Sequence, residues 1–205
     1  MKRALAFLSL ALLSGCITLL PKPGAPPNTF VLDAADVTRA DGGAIPVVVA
    51  VADPQGEHAL LGTDMVWRTG DQIAFIAGTQ WSAHGDDALQ SLLIQTISQQ
   101  GRVTAAVRAG DAAANYEVHW DIVDFEVDDA GMQAKFAANV TVLDARTQRV
   151  IAAQLVSANA PVASRSASLA AQALTRAARE GSARIGVFAV DAIGQAQASA
   201  ASISR

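Results

Sequence analysis

Cysteine and histidine are both scarce in this 205-residue chain, the first occurring once, at Cys16, and the second three times. A lone cysteine excludes an intramolecular disulfide, so burial alone must hold the fold together. His58, His84 and His119 stand at no spacing to one another, or to Asp or Glu, that suits a metal centre. Surplus positive charge is missing too: fifteen Lys and Arg face nineteen Asp and Glu. No basic patch interleaved with aromatics occurs, which excludes a phosphate-tracking surface and with it nucleic acid as a partner. Beyond the first residues, no apolar run reaches the roughly 18 positions of a spanning helix. The Gly-x-Ser-x-Gly elbow, the phosphate loop and the dinucleotide fingerprint are all absent.

What is present begins at the N-terminus. Lys2 and Arg3 form a basic start, Ala4 to Leu13 an apolar stretch too short to cross a bilayer, and Leu13-Ser14-Gly15-Cys16 a lipobox. Cleavage before Cys16 leaves its thiol for a diacylglyceryl group and its amine for a further acyl chain such as palmitate. Two or three chains, at about 0.8 kcal/mol per buried methylene, hold a domain stably on a membrane without spanning it. Ile17 stands where an acidic residue would retain the lipoprotein at the inner membrane, so the expected location is the outer membrane, facing the periplasm. Losing residues 1–15 leaves thirteen Lys and Arg against nineteen Asp and Glu, a mature charge of −6.

Pro21, Pro23, Pro26 and Pro27 make residues 16–28 a semi-rigid tether behind the lipidated Cys16. A single domain is expected over 29–195. Thr29 to Leu32 reads as a short strand, and Ile45 to Val51, nearly all apolar and rich in β-branched residues, as one buried on both faces. Met65 to Arg68 and Gln72 to Ala77 form a hairpin about Thr69-Gly70-Asp71. Ser82 is the predicted cap of a first long helix, with Asp86 and Asp87 in its first turn, Leu89, Leu92, Leu93 and Ile97 on one face, and Gly101 as its stop. After a brief strand at Val103 to Val107, Tyr116 to Val127 alternates cleanly, then slips phase at Ile122-Val123 as a β-bulge would make it do. Met132 to Val142 and Val150 to Ala158 complete a three-stranded meander. From Ser164, apolar residues recur at steps of three and four as far as Ala192, predicting a second long helix weakened by Gly181, Gly186 and Gly194 at roughly 1 kcal/mol each. The Ala/Ser-rich tail over 196–205 is expected to fray. This order predicts the α/β (α+β) class: a two-layer sandwich of mostly antiparallel sheet with two helices on one face.

Candidate chemistry is thin. Asp121, Asp124, Glu126, Asp128 and Asp129 fall at strand-alternation and turn positions, as a solvated face does rather than a calcium or glycosidase site. Trp67, Trp81 and Trp120 read as core or hairpin filling. No catalytic residue, metal site or cofactor is expected, and the chain reads as a non-enzyme. A sheet edge of the meander, taken along Tyr116–Val127 and Met132–Val142, is the surface offered to a partner or to further copies in a homo-oligomer.

Several of these stretches together carry a resemblance. Leu13-Ser14-Gly15-Cys16, then Leu20-Pro21-Lys22-Pro23 ahead of Phe30-Val31-Leu32, then Trp81 before the Leu-rich helix, then Val142-Leu143-Asp144-Ala145-Arg146-Thr147 and the Ala-rich last helix resemble the ABC-type transport auxiliary lipoproteins. The described relatives include lipoprotein components of paraquat-inducible (Pqi) MCE systems. The resemblance implies a non-catalytic periplasmic lipoprotein that works with ABC transporter components and docks an MCE-type channel protein in lipid transport. The chain departs from the pattern in lacking an aromatic directly after the Gly70-Asp71 turn and in its Ala/Ser tail. The same anchor, tether and domain would also serve a scaffold of another envelope assembly or an activator of a cell-wall synthase.

Overall fold

The computed structural model describes residues 26–35 and 37–203. Cys16, the leader and most of the proline tether lie outside the described residues. Within them the elements run β1 (Asn28–Phe30), β2 (Ile45–Val51), β3 (Gln55–Gly56), α1 (His58–Leu61), β4 (Asp64–Thr69), β5 (Gln72–Trp81), α2 (Gly85–Gln100), β6 (Val103–Arg108), β7 (Tyr116–Asp128), β8 (Gln133–Asp144), β9 (Arg149–Pro161) and α3 (Ala167–Ile203).

Strand β7 is the axis of the sheet. Along one edge it pairs antiparallel with β8 over its full length, and β8 pairs in turn with β9. Along the other edge three parallel segments follow one another: Val49–Val51 beside Tyr116–Val118, Gln55–Gly56 beside Asp121–Ile122, and Val66–Arg68 beside Glu126–Asp128. The sheet therefore forks, with β6 outside β2 at one end and β5 then β1 outside β4 at the other. The antiparallel pairings are the long ladders, as expected, and the parallel ones are short. The predicted bulge lies where the phase slips: the β7–β8 register shifts between Ile122 and Asp124. Val118, Trp120 and Ile122 before it, and Phe125 and Val127 after it, all reach the same core.

Both long helices pack on this sheet and on each other, α2 against β2 and β6, α3 against β7, β8 and β9. Leu89, Leu92, Leu93 and Ile97 are fully buried, the face that their spacing predicts. Helix α2 ends at Gly101, which is left-handed at φ 71°. Its start is two residues later than a Ser82 cap predicts. The Ser82 N–H donates to Phe30 O at 2.8 Å and the Trp81 N–H to Thr63 O at 2.7 Å, so strand pairing holds this segment extended. His84 takes the N-cap position without a side-chain capping bond, and Asp86 and Asp87 supply the first-turn charge.

Helix α3 runs 37 residues without a break at any of its glycines. Two of them are there for approach. A Cβ on Gly181 would lie 2.1 Å from Phe136 Cδ1, and one on Gly186 would lie 2.4 Å from Gln100 Oε1. Their absent side chains let the helix backbone rest on β8 and on the end of α2, and that packing offsets the propensity cost. The helix also continues past Gln195 to Ile203, where fraying was expected. Ile193 is fully buried, and Ala196, Gln197 and Ala200 line a depression with Tyr116 and Ile151, so the last turns have something to pack on.

The sheet edge of the meander is not where the sequence puts it. Strands β7 and β8 each have neighbours on both sides, and the open edge is β9, with Val150 and Leu155 exposed. Alternation predicts that a strand exists but carries no information on how many neighbours it has.

Candidate interaction surfaces

The residues singled out for chemistry take structural places. His58 opens α1, His84 caps α2, and His119 faces outward on β7 with its Nε2 2.9 Å from Glu117 Oε2. Among the described residues no group of three His, Cys, Asp or Glu could hold a metal ion.

The acidic series divides. Asp121 is exposed on the outer face of the sheet and Asp124 half-buried. Glu126 corrects the solvated-face reading, being only 2% exposed. It sits beside Val66 in the β4–β7 register and accepts a hydrogen bond from Arg68 Nε, while its Oε2 has no partner among the described residues. That bond is the main reason the Arg68 guanidinium holds its proton more tightly than usual, burial opposing it. Asp128 pairs with Lys135 Nζ at 3.2 Å. Asp129 accepts from Trp67 Nε1 at 3.0 Å and from Arg165 Nη2 at 2.6 Å, fastening the β7–β8 turn to β4. Asp144 Oδ1 accepts from the Thr147 N–H at 2.8 Å and Thr147 Oγ1 at 2.7 Å. The hydroxyl and then the amide hold the Asp144 carboxyl below its ordinary range, and they close the β8–β9 turn.

The indoles are core and fastening elements. Trp81 is 2% exposed and stacks on Phe125 with centroids 5.5 Å apart and planes 14° from parallel, and Phe125 meets Phe136 edge-on at 6.4 Å. Trp120 Nε1 donates to Ala52 O at 2.8 Å, tying the segment after β2 to β7. Trp67 is half-buried, with the Arg165 guanidinium 6.0 Å above its ring.

Three open features remain. A cleft of about 750 Å³ lies between residues 34–41, the end of α2 and α3. Three of its four guanidiniums are matched: Arg102 pairs with Asp191 at 2.5 Å, Arg179 Nε donates to Asp33 O at 2.7 Å with Nη2 on the Asp33 carboxylate, and Arg176 donates to Pro161 O at 3.1 Å. The Arg179 bonds clamp the segment after β1 onto α3. The second feature is the open edge of β9. The third is β5, whose residues 72–75 pair with β4 on one side and whose residues 72–78 have no strand partner among the described residues on the other, because β1 reaches only Thr79 to Trp81. Between Val66 and Asp64 the partner jumps from Phe75 to Gln80, which throws Ile76–Thr79 into a wide bulge closed by Thr79 Oγ1 donating to Ile76 O at 2.8 Å. Sequence reasoning placed this hairpin but missed its open edge, for which the uninterrupted apolar run Ile73 to Ala77 was the available signal.

Surfaces for binding, with no assembled nucleophile, base or metal site among the described residues, are what this fold displays. Residues 30–186 match the family model for the ABC-type transport auxiliary lipoprotein component, and the chain belongs to that family. Protein XCC0632 from Xanthomonas campestris superposes with a TM-score of 0.70 at 19% identity, over 84% of this chain and 98% of its own. A second, uncharacterized protein gives 0.64 at 11% identity, over 80% and 99%. Both likenesses show the fold. A PelC dodecamer from Paraburkholderia phytofirmans superposes more loosely, with a TM-score of 0.44 at 13% identity over 73% and 93%, and nothing is drawn from it. Comparison with curated proteins finds no match.

Proposed function

We propose that acyl chains on Cys16 hold this protein at the periplasmic face of the outer membrane. There it serves, by binding and without catalysis of its own, as the auxiliary component of an ABC transporter of the MCE lipid-transport kind. The observation that carries the reading is the placement of Leu13-Ser14-Gly15-Cys16 just ahead of a domain that the auxiliary-lipoprotein family model matches from residue 30. Ile17 in place of an acidic residue supports outer-membrane sorting, and the Pqi-type resemblance supports an MCE channel as the partner. The dozen residues between Cys16 and Asn28 reach about 37 Å at roughly 3.1 Å each, which keeps the domain close to the bilayer. Partner contact then falls to open surfaces such as the β9 edge, by strand addition or side-chain docking.

Cys16→Ser tests anchor and function together. The variant is expected to lose its radiolabelled palmitate, leave the outer-membrane fraction, and show the same defect as cells lacking the transporter's ATPase. A variant that keeps the label, or that stays in that fraction, overturns the reading.

A further inference from the structure

The free length of β5 reads Gln-Ile-Ala-Phe-Ile-Ala-Gly over residues 72–78, and no charged residue or proline interrupts the strand before its end at Trp81. Edge strands are ordinarily blunted by lysine, proline or a cover, because an open apolar edge invites association. Here Ile73 is 43% and Phe75 56% exposed, Ala74 and Ala77 are exposed beside them, and Ile76 is half-buried.

The position of this edge says what it faces. Strand β1 runs parallel to β5, with Asn28 opposite Thr79 and Phe30 opposite Trp81. A chain entering β1 in that sense comes from the side of the hairpin turn, past the open edge. The described chain begins at Pro26, and the ten residues from Cys16 to Ala25 reach at most about 31 Å at roughly 3.1 Å each. The open edge itself is about 23 Å long at 3.3 Å per residue. An acyl chain on Cys16 therefore keeps the bilayer within reach of the turn end of the hairpin. At that same end Trp67 lies opposite Ala74 across the hairpin, on the other face from Ile73 and Phe75, and Arg165, its side chain 69% exposed while paired with Asp129, stands over the indole. A half-buried indole beside exposed aliphatic side chains is a residue type that settles at a lipid headgroup boundary.

We propose that the β4–β5 hairpin edge, Ile73 to Ala77, is a second membrane contact, lying against the phospholipid interface beside the acyl anchor. The placement of the bilayer rests on the lipidation of Cys16, while the capacity of the edge to bind lipid does not. Acyl chains fix the protein to the membrane but leave it free to swivel on its tether, and a second contact orients the domain, turning α3 and β9 toward the periplasm.

The test uses the mature chain carrying Cys16→Ser, so that no acyl group contributes, in co-sedimentation with vesicles of phosphatidylethanolamine and phosphatidylglycerol at three to one. Weak binding is expected, reduced at least tenfold by Ile73→Glu with Phe75→Glu. The uncharged pair Ile73→Ser with Phe75→Ser is expected to reduce it as well, which separates lost apolar contact from added repulsion. Both pairs are expected to keep the parent's circular dichroism and melting temperature, since the replaced side chains face solvent. A parent that does not bind vesicles, or folded variants that bind as well as the parent, would overturn the proposal. So would a parent that sediments as a multimer, is dissociated by the same substitutions and ignores lipid, because the edge then belongs to a second copy of the chain. No transporter and no acylation enter this assay, so its failure leaves the Cys16 reading standing, and failure of the Cys16 test leaves this binding measurable.

Discussion

Trp81 shows how a single residue ties the hairpin to the rest of the core. It ends β5, donates its backbone N–H to Thr63 O, pairs with Phe30 across β1 and stacks on Phe125 at the point where β7 has just resumed its alternation. Trp81→Ala is expected to cost about 3 to 5 kcal/mol, read as a lower denaturant midpoint with an unchanged slope. An unaltered midpoint would show that the indole is not part of the core. Its role as filling was legible from its place between a strand and a Leu-rich helix. The burial of Glu126 was not: it holds an outward position in the alternation of β7, and only the arrival of Val66 and Arg68 from 58 to 60 residues away covers it. A carboxylate's burial depends on which strand lies next to it, and strand neighbours are not local information. The same limit applies to Asp129, whose bonds to Trp67 and Arg165 span 62 and 36 residues.

At the scale of elements, periodicity was a good guide to existence and a poor one to ends and neighbours. The bulge in β7 and the buried faces of α2 and α3 could be read from spacing, because each is a property of a few consecutive residues. The start of α2 was misplaced because pairing with β1 keeps Ser82 extended, and the parallel pairings along β7 were unseen because they join segments far apart in sequence. The glycines of α3 are the clearest reversal. By propensity alone Gly181→Ala strengthens the helix by roughly 1 kcal/mol. In the fold the new methyl would occupy the space of the fully buried Phe136 ring. A net loss of about 1 to 3 kcal/mol is therefore expected from overpacking. Thermal unfolding followed by circular dichroism checks the sign, and a higher melting temperature would show that α3 does not rest on Phe136 as described.

For the whole molecule, the layered α+β architecture and the auxiliary-lipoprotein family were legible, the first from alternation and helix spacing, the second from the order of motifs along the chain. The interaction surfaces were half legible. The meander was expected to offer an edge, and it does, but on β9 rather than on β7 or β8, since the short parallel strands occupy the side of β7 that the sequence left open. Service to an ABC-type transporter by direct contact is checked by photocrosslinking amino acids placed at Val150 and Leu155 of β9 in live cells, with the unsubstituted protein as the silent control. Adducts with a permease, ATPase-linked or MCE-type component are expected at the β9 positions and none with the unsubstituted protein. Adducts with cell-wall synthases alone, or with no transporter component at either β9 position, would contradict it.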